Sequence, residues 1–115
     1  MPLFCFPAGL FDGAAHASIC GYEAWIRLSL LSYYKLLWQG GNGTNTRAEV
    51  LALWGLLWFT RIKQIHHIHI YGDSKLLIDD ILGRSNFGPS HLKCWMDRIV
   101  LLRQDFQTIT FQHIF

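Results

Sequence analysis

Three acidic residues, Asp12, Glu49 and Asp73, have the side-chain chemistry of a phosphoryl-transfer site. Each stands at a predicted element end: Asp12 closes a short apolar run, Glu49 opens a long one, and Asp73 closes a β-rich segment. Carboxylates grouped without cysteine or histidine ligands suit hard cations such as Mg²⁺. Two such cations about 3.5–4 Å apart activate water and stabilise a leaving oxygen. The three acids would act together only if the fold makes their element ends converge.

The elements predicted around these acids indicate an α/β fold. Apolar runs with turn residues between them predict strands, and longer runs with helical spacing predict helices. In chain order we expect strands over 3–12, 17–28 and 31–39, a glycine-rich turn over 40–43, a helix over 46–62, a strand ending at Gly72, a helix over 74–83, a helix from Pro89 to about Arg103, and a strand over 107–114. The order βββαβααβ predicts a mixed sheet with flanking helices. In such sheets, ligands bind beyond the carboxyl ends of strands.

Each acid also has a purely structural explanation. Asp12 followed by Gly13 is typical of a turn. Glu49 completes a capping box with Thr46, in which the two side chains satisfy free N–H groups at the start of the helix. Asp73 is a preferred N-cap residue for the next helix. Capping and metal binding can coexist, so the sequence leaves both explanations open.

Length and composition limit the classes of protein to consider. The 115 residues fit one domain, and 51% are hydrophobic against 16% charged, where about 25% charged is typical. A net charge of +2 gives no strong overall field, so nucleic-acid binding would depend on a local patch. The three cysteines form no C-x-x-C pair, which favours reduced thiols inside a cell.

Membrane insertion and secretion are not expected. The most apolar run, Val50–Thr60, is much shorter than the roughly 20 residues that span a bilayer. The N-terminus has two prolines and no basic segment before its apolar residues, so it is a poor signal peptide. We expect a soluble intracellular protein, cytoplasmic or nuclear.

The histidines and tryptophans offer weaker alternatives. His67 and His69 would project from one strand face and His66 from the other, so these three do not converge on one metal ion. His113, near the end of the last strand, is the one histidine that we place within reach of the acids, and we rank it low. The five tryptophans have stacking surfaces for bases, but their helical or strand spacing favours the core.

Three blocks of sequence carry the acids: FDGAA at 11–15, GTNTRAEVLALWGLL at 43–57 and IYGDSKLLID at 70–79. These blocks resemble motifs of the ribonuclease H type 1 family, particularly its plant and retroelement-like branch, and they occur in the family's order. The resemblance covers nearly the whole chain. It implies a ribonuclease-H-like fold, with a mixed five-stranded sheet and flanking helices.

The resemblance also implies a function and a set of site residues. Members of the family are endonucleases that cleave the RNA strand of RNA–DNA hybrids with Mg²⁺, or Mn²⁺. It implies that Asp12, Glu49 and Asp73 are the catalytic, metal-binding carboxylates. It further implies that Thr44 and Asn45 contact the nucleic acid and that Arg47 supports the cluster, although Arg47 is also compatible with a surface ion pair. We expect a monomer that binds an RNA–DNA hybrid.

The sequence departs from the family in three places. The family supplies a fourth carboxylate from a helix beyond the last strand, whereas this chain stops at Phe115. We therefore expect one ribonuclease-H-like domain over residues 1–115 that is truncated at its C-terminus and lacks the last helix. Thr46 replaces a common asparagine, and SICGYEAWI is bulkier than the usual glycine-rich second strand.

Two alternatives to an active nuclease follow from the same residues. One is a catalytically impaired nucleic-acid-binding derivative or fragment of such a domain, because the fourth carboxylate is missing. The other is a packing or interaction domain in which the acids only cap helices. The first alternative predicts hybrid binding without cleavage, and the second predicts no response to Mg²⁺.

Overall fold

Strands and helices follow one another in the predicted order. The computed structural model describes residues 7–17, 19–83 and 92–114. Within these ranges lie β1 (Ala8–His16), β2 (Ile19–Arg27), β3 (Tyr33–Asn42), α1 (Asn45–Ile62), β4 (His67–Gly72), α2 (Lys75–Ile81), α3 (Lys93–Arg103) and β5 (Thr108–His113). The predicted end of the third helix at Arg103 is confirmed, whereas its predicted start at Pro89 lies outside the described residues.

The sheet is mixed and has the strand order β3-β2-β1-β4-β5. β1 pairs antiparallel with β2 and parallel with β4, while β5 pairs parallel with β4. The parallel pairs need crossover connections, which the helices provide. The pairing of β1 with β4 ends at Phe11 opposite Gly72. The carboxyl end of β4 therefore lies beside the middle of β1 rather than beside its end.

The glycine-rich segment after the third predicted strand is a bulge at the end of β3 rather than a turn. Ile19 pairs with Asn42 and Gly21 pairs with Gln39, so two residues of β3 face one residue of β2. Gly41 adopts a φ of +73° there, a conformation that glycine takes without steric cost. The bulge extends β3 to Asn42, and α1 begins at Asn45, one residue before the predicted start.

The core lies between the sheet and α1, as the almost uniformly apolar sequence of that helix predicts. Fully buried side chains from the helix and from the strands meet there, among them Leu53, Leu56, Ile26, Ile68 and Ile70. Gly13 of β1 allows the close approach of α1, because a Cβ at this position would overlap the backbone of Ala48. The expectation of buried tryptophans holds only in part, since Trp58 is 47% exposed.

Two further expectations concern membrane insertion and the state of the cysteine thiols. No helix in the described ranges is both long enough and apolar enough to cross a membrane. Cys20 and Cys94 are both free thiols; Cys20 is buried and Cys94 is exposed on α3. Cys5 lies outside the described residues.

Candidate metal-binding active site

Asp12 lies in the middle of β1, so the prediction that it closes the first strand is wrong. The strand continues because β2 pairs with β1 along its whole length, with Asp12 directly opposite Glu23. Gly13 is also part of the strand, which removes the turn explanation for the Asp12-Gly13 pair. Asp12 instead lies one residue beyond Phe11, where the pairing with β4 ends.

Glu49 lies in the second turn of α1 and takes no part in capping the helix. The N-cap residue is Thr44, whose side-chain oxygen accepts a hydrogen bond from the backbone N–H of Arg47 at 3.2 Å. The predicted capping box of Thr46 and Glu49 is therefore wrong, because the cap lies two residues earlier, at Thr44. Because the helix begins earlier than predicted, the Glu49 carboxylate is free for another role.

Asp73 follows β4 directly, as predicted, but it is not the N-cap of the next helix. That position belongs to Ser74, which makes no side-chain capping hydrogen bond to α2. Hydrogen bonding by the Ser74 side chain instead lowers the pKa of the Glu49 carboxyl. The structural explanation for Asp73 is thus wrong as well, and Ser74 belongs to the surroundings of the acids.

The three acids converge. One carboxylate oxygen from each of Asp12, Glu49 and Asp73 lies within 4.8 Å of the other two. Asp12 and Asp73 are exposed, and Glu49 is partly buried. No other group of three histidine, cysteine or acidic side chains in the described part of the chain is arranged in this way. Oxygen ligands at this spacing suit a hard divalent cation.

Burial and mutual repulsion disfavour the charged forms of two of the acids. Burial raises the pKa of the Asp12 carboxyl, and the charge of Asp73 raises it further, while a hydrogen bond from the Gly13 backbone lowers it and Glu23 adds a smaller increase. Burial likewise raises the pKa of the Glu49 carboxyl; the Ser74 hydrogen bond opposes this rise, and the charges of Asp73 and Asp12 add to it. A bound cation would offset this repulsion, so the residues fit such an ion.

The predicted nucleic-acid contacts lie at the start of α1, near the acids. Asn45 accepts a hydrogen bond from the backbone N–H of Ala15 at 2.6 Å, which ties the helix to β1. The Arg47 guanidinium lies 6.0 Å from the Trp95 ring centre, and its Nε is buried without a hydrogen-bond partner. Arg47 forms no salt bridge among the described residues, so the described part of the chain gives the surface-pair explanation no support. Thr44 serves as the helix cap.

Three residues near the acids were missed or ranked low from the sequence. Ser74 looked like an ordinary helix-start residue, and nothing local links it to Glu49. Glu23 is placed opposite Asp12 only by the register of two strands. His113 was ranked low, yet its Nε2 lies 3.1 Å from the backbone oxygen of Asp73. The pairing of β5 with β4 produces this contact, and no local sequence signal predicts it.

Two concave surfaces meet at Asp12. The larger, of about 370 Å³, is lined by Asp12, Gly13, Ala14, Gly21, Tyr22, Glu23, Leu37, Trp38 and Gln39. The smaller, of about 170 Å³, is lined by Leu10, Phe11, Asp12, Trp25, Gly72, Asp73 and Ile114. Both are open to solvent, so an extended ligand can reach the acids along the strand ends.

Comparison with known proteins identifies the family and the fold. A sequence model of the family described as reverse transcriptase-like matches residues 33–115, a range that contains Glu49 and Asp73. No curated protein matches the chain by sequence.

Solved structures similar to this chain include three whose alignments each cover 93% of it. A type 1 ribonuclease H from the archaeon Halobacterium salinarum has a TM-score of 0.86 at 21% identity, with 83% of that chain covered. The N-terminal ribonuclease H domain of a Mycobacterium tuberculosis protein has a TM-score of 0.83 at 19% identity, with 86% covered. LC11-RNase H1, in complex with an RNA/DNA hybrid, also has a TM-score of 0.83 at 19% identity, with 83% covered.

These identities are low, so the structural matches establish the fold, and the family match establishes the relationship. The mixed five-stranded sheet with three helices is the ribonuclease H fold, as the sequence blocks led us to expect. Because the family match spans most of the chain, this protein belongs to the reverse transcriptase-like family, and it has the ribonuclease H fold.

Proposed function

We propose that this protein is a metal-dependent endonuclease that hydrolyses the RNA strand of RNA–DNA hybrids. The observation that carries the proposal is the convergence of the Asp12, Glu49 and Asp73 carboxylates within 4.8 Å. None of these acids caps a helix or forms a turn, so the packing-domain alternative loses its basis. A protein of the same fold has been solved with an RNA/DNA hybrid bound, which supports the choice of substrate.

In this proposal Asp12, Glu49 and Asp73 would hold Mg²⁺ or Mn²⁺. When bound, such a cation supplies positive charge that activates a water molecule and stabilises the leaving oxygen of the phosphodiester. The three carboxylates provide anionic oxygens from three different elements, so the fold sets their spacing. Hydrogen bonding by Ser74 lowers the pKa of the Glu49 carboxyl and so favours the charged form that a cation ligand needs.

The start of α1 would contact the nucleic-acid backbone. The side-chain oxygen of Asn45 is engaged by Ala15, which leaves its amide N–H groups to donate to a phosphate or a base edge. The Thr44 oxygen accepts from the Arg47 backbone, and its hydroxyl proton remains able to donate. Arg47 adds positive charge in the first turn of α1, two residues before Glu49, where phosphate contacts would set the position of the hybrid.

Cleavage of an end-labelled RNA–DNA hybrid with Mg²⁺ or Mn²⁺ tests the proposal. We expect cutting of the RNA strand by the wild-type protein and a loss of more than about 100-fold for Asp73→Asn, because a ligand of the cation is removed. Asp97→Asn is the matched control, since Asp97 is an exposed acid on α3, and we expect it to retain activity. Equal activity of both variants, or no cutting by folded wild-type protein, would reject a nuclease built on these acids.

A hybrid-binding domain without turnover is the second candidate. Glu23 favours it, because this carboxylate lines the larger concave surface beside Asp12 and would keep the scissile phosphate away from the acids while contacts at the start of α1 still hold the hybrid. Binding of the labelled hybrid in Ca²⁺, measured beside cleavage in Mg²⁺, separates the two candidates. Binding with no cleavage in Mg²⁺ or Mn²⁺ would support the second.

A further inference from the structure

The end of β5 holds the backbone that carries Asp73. In the last pair of the β4–β5 ladder, Gly72 lies opposite His113. The Ile114 backbone N–H donates to the Gly72 carbonyl at 2.9 Å. The His113 ring, through Nε2, lies 3.1 Å from the Asp73 carbonyl oxygen. Two consecutive carbonyl groups are thus held by two consecutive residues, and only the second bond uses a side chain.

The chemistry of the contact defines which partner donates. A carbonyl oxygen only accepts hydrogen bonds, so the His113 Nε2 must carry the hydrogen. This requirement selects the tautomer or charge state in which Nε2 is protonated. The contact is therefore directional, and a side chain without an N–H donor at this point would not reproduce it.

Asp73 has more need of such support than the other two acids. Asp12 and Glu49 lie inside a strand and a helix, whose backbone hydrogen bonds continue on both sides. Asp73 lies between β4 and the N-cap residue of α2, and that seven-residue helix has no side-chain capping hydrogen bond. The direction of its exposed carboxylate depends on the backbone torsions at Asp73 itself, which the His113 contact restrains.

We propose that His113 is a positioning residue that aims the Asp73 carboxylate at the metal site by donating a hydrogen bond to the Asp73 backbone carbonyl. The proposal rests on the proposed function, since it concerns the same three acids. It requires that loss of the donor weaken cation binding more than it weakens the fold. It also requires that a side chain with an equivalent donor restore cation binding.

The test compares His113→Phe, which keeps a ring without a donor, with His113→Gln, which restores an N–H donor. Affinity for Mn²⁺ is measured by calorimetric titration, and kcat/KM is measured on the hybrid. We expect His113→Phe to lower both by about 10-fold, as for other groups that orient metal ligands, and His113→Gln to recover most of the loss. His67→Phe is the matched control, because His67 is an exposed histidine on β4, and it should match the wild type.

Three results would overturn the proposal. Equal Mn²⁺ affinity in the wild type and His113→Phe would show that the ring does not act on Asp73, even if the nuclease function stands. Equal losses in His113→Phe and His113→Gln would show that the donor is not what matters. Nitrogen NMR of the imidazole in the cation-free protein tests the contact without metal or substrate, and an Nε2 without a hydrogen would contradict it.

The same measurements separate this proposal from the function on which it rests. If the wild-type protein binds no divalent cation and cuts no hybrid, both the proposed function and the positioning role of His113 are rejected. If the wild type binds Mn²⁺ and cuts the hybrid while His113→Phe behaves in the same way, only the role of His113 fails.

Discussion

The acids are held in two different ways, and the difference shows where this site is rigid. Asp12 and Glu49 belong to β1 and α1, two elements in direct backbone contact, whereas Asp73 lies in the short link between β4 and α2. The first pair can separate only if the helix moves away from the sheet. Asp73 can change direction through its own torsions. A change that moves α1 away from the sheet should therefore alter the separation of Asp12 and Glu49. A change limited to the backbone torsions at Asp73 should alter the direction of its carboxylate.

Three contacts at the start of α1 hold the helix that carries Glu49 and join it to the strand that carries Asp12. Gly13 admits the backbone of Ala48, the Thr44 side chain caps the helix, and Asn45 accepts from the Ala15 backbone. Each contact joins the helix to itself or to β1 close to the acids. α2 has no equivalent cap, and the Ser74 hydroxyl at its start bonds to Glu49 rather than to the helix.

The largest effect is expected at the helix–strand contact. In Gly13→Ala the new methyl group would overlap the Ala48 backbone, and backbone cannot move aside as a side chain can. We expect a loss of about 3 kcal/mol in the free energy of unfolding, at the upper end for overpacking. Urea denaturation measures it. Gly21→Ala is the control, since its Cβ would lie 3.8 Å from the nearest atom, the Ala14 carbonyl oxygen, and an equal loss there would refute the explanation.

A smaller loss is expected at the helix cap. Thr44→Ala removes the acceptor for the Arg47 backbone N–H and should lower the free energy of unfolding by about 1 kcal/mol. Thr44→Ser keeps the hydroxyl and should stay close to the wild type. If Thr46→Ala, at the position first predicted to cap, proved the more destabilising variant in the same urea experiment, the assignment of the cap would be wrong.

The raised pKa of Glu49 predicts a pH dependence of stability in metal-free buffer. Because the pKa of this carboxyl is higher in the folded protein than in the unfolded chain, the folded state binds more protons between the two values. Stability should therefore fall as pH rises from about 4.3, the unfolded value, through the folded pKa. Thermal melts across this window should show a weaker decline for Glu49→Gln and, in the wild type, after addition of Mg²⁺. A steeper decline for the variant would contradict this account.

The smallest effect on stability is expected at Ser74. Ser74→Ala removes no capping bond from α2, so the free energy of unfolding should change by less than about 0.5 kcal/mol. The lost hydrogen bond to Glu49 should instead raise the pKa of that carboxyl further, because the bond favours the charged form. Carbon NMR titration of the Glu49 carboxyl measures the shift. Ser32→Ala, in the β2–β3 turn, serves as the control and should leave this pKa unchanged.

Much of the fold follows from patterns that act over a few residues. Alternating and helical spacings predicted all eight elements in order, and Gly83 after the second helix adopts the positive φ expected of a helix end. The N-cap of α1 is predicted two residues late and the first helical residue one residue late, although these signals are also local. Thr44 and Thr46 are both able to cap a helix. The hydrogen bond between Asn45 and Ala15 favours a helix that begins after Thr44.

The sequence by itself determined which residues could form the site, because only a few of its acids lie near predicted element ends and in family-like blocks. Only the tertiary structure decided how they meet. The pairing of β1 with β2 places Asp12 in the middle of a strand and opposite Glu23. The pairing of β1 with β4 ends one residue before Asp12, at Phe11 opposite Gly72, and the β5 pairing brings His113 to Asp73. The alternation of side chains within one strand fixes which face is buried, but the partner residue on a strand far away in the chain is set only when the two strands pair.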